Sequence, residues 1–274
     1  MNEHVTYVAT YGDEDYYRKA LVAVTSMPRP LIWYVNDIQA LNRLRKRNAM
    51  WFDDIEMRTC KQYGDTNVDK GMSMKVYGLL DLLSSEYTRA LLLDVDTFNL
   101  GGAEEILAMP MTKPVMGDRL SDYTDMLNRR CSYADKRNLI NGGVVMFDLT
   151  KLRQMELPAY TELCTNKLLE RDWGVRRDEI YWAWFVKQGM VERFGREYNM
   201  YPLLTEYQPC FGLSETEFYL IRQITQRMIG AKIQHFVDTL KPWTCSDYDK
   251  KLVGSGYIPW LKRNKEIHEN ENKP

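Results

Sequence analysis

The chain is poor in histidine and has no surplus of charge. Its only histidines are His4, His235 and His268, and the first and last lie near the termini. His235 is therefore the one internal imidazole. Lysine and arginine total 37 against 38 aspartates and glutamates, a formal net charge of -1. That balance argues against a nucleic-acid binder, which ordinarily shows a basic excess. The five cysteines, at 60, 131, 164, 210 and 245, show no C-x-x-C spacing. This excludes the usual structural zinc site and suits a reducing compartment. No apolar run approaches the ~20 residues of a membrane span. The opening MNEHVTYVATYG lacks the basic stretch and apolar core of a signal peptide. A soluble, cytoplasmic location without a transmembrane segment is expected. There is no G-x-G-x-x-G after the first apolar run, which excludes a dinucleotide fold of the usual kind. No internal repeat or low-complexity linker divides the chain.

What is present is an alternation of periods. Residues 4–11, 31–35, 55–60 and 90–94 read as strands. Between them, residues 15–27, 37–50 and 72–85 have helical spacing, with 68–71 as a loop. A β-α-β-α-β-α-β order predicts an α/β fold with a mainly parallel central sheet flanked by helices. Further on, 103–109 reads as a short helix, and 114–118 and 139–149 as strands. Residues 119–138 read as a polar cover. Residues 150–172 read as a long helix interrupted near Pro158, 177–188 and 214–228 as helices, and 231–237 as a last strand. The segment from 264 reads as a polar tail. The expected division is one domain over 1–245 and a helical, polar tail over 246–274. Within 250–265, Tyr257, Trp260 and several lysines suggest a solvated helix and tail, offering at most weak peripheral membrane contact.

The stretch LLLDVDTFNLGG, residues 91–102, carries the chemistry. Its leucines read as a strand buried on both faces. Asp94 and Asp96 follow, and residues i and i+2 of a strand share a face, ~7 Å apart at the root. Two carboxylates so placed repel unless a cation sits between them, and oxygen ligands favour Mg²⁺ or Mn²⁺. Strand ends of this sort are also where open α/β sheets bind ligands.

Four patterns follow one another in order: LLLDVD, INGGVVMFDLTKLR, RRDEI and HFVDTLKPW. From about Val5 to Trp243 this set resembles the glycogenin-like retaining glycosyltransferases of family 8, which have the GT-A (nucleotide-diphospho-sugar transferase) fold. The resemblance implies a UDP-sugar donor, Mn²⁺ with Mg²⁺ as substitute, and transfer of a hexose or N-acetylhexosamine with retention. It implies that Asp94, Asp96 and His235 ligate the metal, and that Val95 lends its backbone to the donor. Lys241 would face the diphosphate, and Lys75, on the helix before the central strand, would also face the donor. Thr10 and Tyr16 would meet the uridine, with Tyr17 as the neighbouring alternative. Asp118 and Asn141 would bind sugar hydroxyls, and Gly142 and Gly143 would let backbone approach the sugar. Asp178 and Glu179 would be the catalytic carboxylates.

Two residues depart from the family pattern. Glu179 stands where the family has glutamine; a carboxylate there could attack the anomeric carbon or stabilise oxocarbenium character, and the second role is favoured. Asp238 replaces a glycine of the late H-x-x-G-x-x-K-P-W motif, which bears on donor preference and on whether the site is fully active. A catalytically impaired nucleotide-sugar-binding protein and a nucleotidyltransferase are the alternative readings. The acceptor is not legible in the sequence.

Overall fold

The structure is a computed structural model. It describes residues 3–119, 139–165, 178–200, 230–236, 242–243 and 257–271. Strand β1 (His4–Thr10) is followed by α1 (Glu14–Val24), β2 (Leu31–Val35), α2 (Ile38–Arg47), β3 (Ile55–Arg58), α3 (Asn67–Leu82) and β4 (Arg89–Leu93). Then come β5 (Thr97–Asn99), α4 (Gly102–Ala108), β6 (Val115–Arg119), β7 (Ile140–Asp148) and the short helices α5 (Leu149–Leu152) and α6 (Tyr160–Thr165). The described chain ends with α7 (Asp178–Lys187), β8 (Val191–Glu192), β9 (Ile233–His235) and α8 (Tyr257–Glu271).

The seven-stranded sheet runs β3-β2-β1-β4-β7-β6-β8. Strands β3, β2, β1 and β4 are mutually parallel, while β7 is antiparallel to both β4 and β6. The expected mainly parallel sheet is present, with β4 at its centre. Alternate residues explain why helices cover both faces. Tyr7, Ile32, Tyr34, Ala90, Leu92, Val145 and Phe147 face α3 and α7. Val8, Trp33, Leu91, Leu93, Val144 and Met146 face α1, α2 and α4. Each such aliphatic side chain contributes ~1.5–3 kcal/mol by leaving water.

Some expectations change. The stretch 68–71 lies inside α3, not in a loop. Thr66 starts that helix with a capping box: the Asp69 amide donates to Thr66 Oγ1 at 3.1 Å, and the Thr66 amide donates to Asp69 Oδ2 at 3.2 Å. Gly71 is tolerated there because a Cβ would lie only 3.2 Å from that of Tyr11. The long helix over 150–172 is instead α5 and α6 separated by irregular chain, with 166–177 outside the described residues. Pro158 disfavours helical backbone just before it. Arg153 fixes the turn, donating to the carbonyls of Leu83, Ser85 and Tyr87.

The segment from 264 is not a loose tail. It completes α8, whose Trp260 and Ile267 are buried in the core beside α1 and α2. Asn48 Nδ2 donates to Glu271 Oε1 at 2.9 Å, and the Arg263 guanidinium lies 4.8 Å over the Trp51 ring. The expected cover over 119–138 and the helix over 214–228 fall outside the described residues, apart from Arg119 at the end of β6. Among the described residues no helix is long and apolar enough to cross a membrane.

Candidate active site

The site forms where β4 ends. The backbone turns directly after Leu93: the Thr97 amide and hydroxyl both donate to the Asp94 carbonyl, at 3.0 and 2.7 Å. Asp94 and Asp96 therefore come together through a turn rather than through strand alternation, which corrects the sequence argument. The Asp94 amide donates to the Gly143 carbonyl at 2.9 Å, tying the turn to β7. Strand β5 then pairs antiparallel with β9, with Thr97 opposite His235. The Phe236 amide donates to the Asp96 carbonyl at 2.7 Å and closes the junction.

Asp94, Asp96 and His235 each offer a ligand atom, all within 4.8 Å of one another. His235 Nε2 lies 3.3 Å from Asp96 Oδ1 and 3.9 Å from Asp94 Oδ2. His235 and Asp96 are buried. Burial pushes the His235 pKa down to about 4, with Asp94 opposing and Lys75 adding to the fall. The imidazole is thus neutral at neutral pH, the form a metal requires. Two carboxylates and one neutral imidazole make a mixed oxygen and nitrogen donor set, which suits Mn²⁺ better than Mg²⁺.

Lys75 of α3 is buried between two acids. Its Nζ lies 2.6 Å from Asp94 Oδ1 and 3.3 Å from Asp178 Oδ2. Burial alone would lower its pKa, but Asp178 and Asp94 together raise it, so the ammonium stays charged. Asp178 opens α7 and is itself buried. One turn on, Trp182 Nε1 donates to its Oδ2 at 3.0 Å.

The two glycines of β7 are explained by these neighbours. A Cβ on Gly142 would lie 2.7 Å from both Asp178 Oδ2 and Trp182 Nε1. A Cβ on Gly143 would lie 2.5 Å from His235 Nδ1 and closer still to Cε1. The protein's own side chains thus already crowd both glycines. Asn141 is half-buried, and its Oδ1 accepts from the Gly143 amide at 2.8 Å.

Thr10 ends β1 and is buried, with its Oγ1 accepting from Trp33 Nε1 at 2.9 Å. Packing separates the two tyrosines. Tyr17 is in the core against Trp33 and Asn36. Tyr16 is half-buried, packs edge-on against Trp243, and lines an open cavity of about 510 Å³ with Tyr11, Asp13, Lys19 and Asn67. Val95 is packed in the core. Asp118 is buried in β6, and Glu179 is half-buried on α7. Lys241 and Asp238 lie outside the described residues. A larger cavity of about 840 Å³ opens elsewhere, among Glu3, Arg29, Arg89, Glu104 and Asp148. The Arg89 guanidinium there is already committed to the Leu107 and Met109 carbonyls, so the cavity is not placed for this chemistry.

Sequence reasoning missed Trp182 and Asn199. Trp182 sits four residues after Asp178 on one helix face, a signal that was available. Asn199 lies 3.0 Å from His235 Nδ1 and had no local signal.

Comparison with known proteins bears on the family and the fold. The family model described as glycosyl transferase family 8 matches residues 33–246. A sequence search of curated proteins finds no significant match. Among solved structures, the galactosyltransferase LgtC in complex with donor and acceptor sugar analogues matches with a TM-score of 0.59 at 14% identity, covering 96% of this chain and 95% of that one. The glycosyltransferase GlyE of Streptococcus pneumoniae TIGR4 matches with a TM-score of 0.59 at 16% identity, covering 99% of this chain and 63% of that one. Mouse xyloside xylosyltransferase 1 matches with a TM-score of 0.56 at 15% identity, covering 88% of this chain and 99% of that one. At such identities the likeness is one of fold, and the family assignment rests on the sequence model. With that model spanning most of its length, the chain belongs to glycosyl transferase family 8.

Proposed function

We propose that this glycosyltransferase moves a hexose or N-acetylhexosamine from a UDP-sugar to an acceptor, with a divalent cation, Mn²⁺ by preference, and with retention at the anomeric carbon. The convergence of Asp94, Asp96 and His235 at the end of the central strand carries the reading. A divalent cation held there would offset the charge of the donor's diphosphate. The chain's own groups divide the remaining work. Tyr16, at the mouth of the open cavity, would receive the base. Lys75 holds Asp94 and Asp178 at fixed separation, so that both acids face the donor in one geometry. Asp178, held by Lys75 and Trp182, would orient the sugar near its reactive carbon. Glu179 would stabilise positive charge as the sugar–phosphate bond lengthens, and Asp118 and Asn141 would bind hydroxyls. Lys241 would complete the charge on the leaving group. The solved LgtC structures include an active-site mutant in which glutamine becomes glutamate. By the motif resemblance, this chain carries glutamate at the family's glutamine as its own residue.

The test is UDP release from a panel of UDP-sugars with Mn²⁺, Mg²⁺ or EDTA. The control is the double variant Asp94→Asn, Asp96→Asn. Mn²⁺-dependent release from one donor, lost in the control, supports the reading. Binding of UDP without turnover would favour a nucleotide-sugar-binding protein. Silence in turnover, together with no calorimetric binding of UDP and Mn²⁺, would remove the donor site.

A further inference from the structure

Asn199 closes a single 3-10 turn, Arg196–Asn199, and is completely buried. That turn is strapped to β9 from both sides. The Met200 amide donates to the Ile233 carbonyl at 3.0 Å, and the His235 amide donates to the Met200 carbonyl at 2.7 Å. Gln234 Nε2 also donates to the Met200 carbonyl, at 2.9 Å. The strap sets the Asn199 amide against the His235 ring, with Oδ1 3.0 Å from Nδ1. A carbonyl oxygen only accepts, so Nδ1 carries the proton. Nε2 is then the lone-pair nitrogen, and it is Nε2 that faces Asp96 and Asp94. The reversed amide would put its N–H against Nδ1, shift the ring proton to Nε2, and block that nitrogen as a ligand.

The other end of the same amide bears on this arrangement. Asn199 Nδ2 has no hydrogen-bond partner among the described residues, although it is buried. Leaving such a donor unpaired costs ~1–3 kcal/mol. Leucine would remove that donor but would take this acceptor away from the buried His235 Nδ1. Among the described residues, the one hydrogen bond that holds the Asn199 side chain is the bond to His235.

We propose that Asn199 is a positioning residue, fixing the Nδ1–H tautomer and ring plane of His235 so that Nε2 joins Asp94 and Asp96 in holding a divalent cation. The inference rests on the reading of that triad as a metal site. Outer partners of metal-bound histidines generally act this way, and losing one costs ~10–100-fold in affinity.

The experiment titrates Mn²⁺, in the presence of UDP, into the wild type, Asn199→Leu and Asn199→Asp by calorimetry. Metal-free thermal melts and ¹⁵N spectra of labelled histidine accompany it. Asn199→Leu is expected to lose ~10–100-fold in Mn²⁺ affinity while still melting cooperatively as a folded protein. Asn199→Asp, whose carboxylate also accepts from Nδ1–H, is expected to restore most of the affinity. The wild-type spectrum is expected to show His235 protonated at Nδ1. A leucine variant that binds Mn²⁺ as tightly as wild type overturns the inference, and so does a wild-type ring protonated at Nε2. A wild type that binds no Mn²⁺ with UDP brings down the metal reading itself, a different result from equal binding by wild type and variant.

Discussion

The substitution Gly143→Ala places a methyl group where the His235 ring sits. The added Cβ would lie 2.5 Å from Nδ1. Ordinary non-bonded contact begins near ~3.5 Å. The backbone at Gly143 has little room to yield. Its carbonyl accepts from the Asp94 amide at 2.9 Å, its amide donates to Asn141 Oδ1 at 2.8 Å, and the next residue, Val144, is in register with Leu93. With Cε1 closer still, the imidazole must therefore retreat by more than ~1 Å to recover that contact distance. Metal–ligand distances hold to within ~0.2 Å, so such a retreat removes the ring from the donor set. Mn²⁺ affinity should fall at least tenfold, ~1.4 kcal/mol. Gly142→Ala is the matched control. Its Cβ meets Asp178 and Trp182 instead, each at 2.7 Å, and leaves His235 alone. That variant should keep Mn²⁺ affinity and lose turnover. Calorimetry of Mn²⁺ with UDP, and UDP release from the preferred donor, read the two effects separately. Wild-type Mn²⁺ affinity in Gly143→Ala, or the same profile in both variants, would refute the reasoning.

Four more outcomes are expected. Lys75→Met leaves buried Asp178 and half-buried Asp94 without their shared cation, and should cost ~3–5 kcal/mol in urea melts of the metal-free protein; a loss below ~1 kcal/mol, the range of an exposed pair, ends its role as a brace. Glu179→Gln should lower kcat far more than it weakens donor binding, and an unchanged kcat removes Glu179 from the transition state. His235 titrates near 4 in the fold, below its ordinary 6.5. Between those values the unfolded chain takes up a proton that the native ring refuses, so stability present above pH ~6.5 is lost as pH falls toward ~4, by up to about 3 kcal/mol. Metal-free urea melts across that window should show a shallower loss in His235→Gln; equal slopes would sink the assignment. Trp260→Ala should cost ~3–5 kcal/mol if α8 is part of the core, and less than ~0.5 kcal/mol if it is a surface appendage.

The sheet was legible because its strands alternate with helices at well-separated periods, and Leu91 to Leu93 could only be buried on both sides. Asp94 and Asp96 were legible because carboxylates at a strand end are chemically conspicuous, and His235 was joined to them only through the resemblance of HFVDTLKPW to the family motif. The start of α3 was misread because Gly71 looked like a breaker, while the reciprocal Thr66–Asp69 cap overrode it. The difference between Tyr16 and Tyr17 needed the core: Tyr17 packs on Trp33, and Tyr16 turns toward Trp243. The glycines were noticed, but the side chains that also crowd them, Asp178, Trp182 and His235, needed the fold, because only the fold shows what lies over β7. Asn199 left no trace, since an asparagine at the end of an irregular turn carries no period and no motif.

The small sheet of β5 and β9 has a consequence for the order in which the protein becomes competent. A growing chain contains both aspartates long before the segment that delivers His235 has been synthesised. Until β9 docks on β5, only two of the three residues of the proposed metal site are in place. Lys75, on the helix just before β4, is already present and would pair with Asp94 in the meantime. A chain cut short of Ile233 lacks the strand that brings His235 to the two aspartates. If the triad holds a cation, full binding would then await the C-terminal half of the chain.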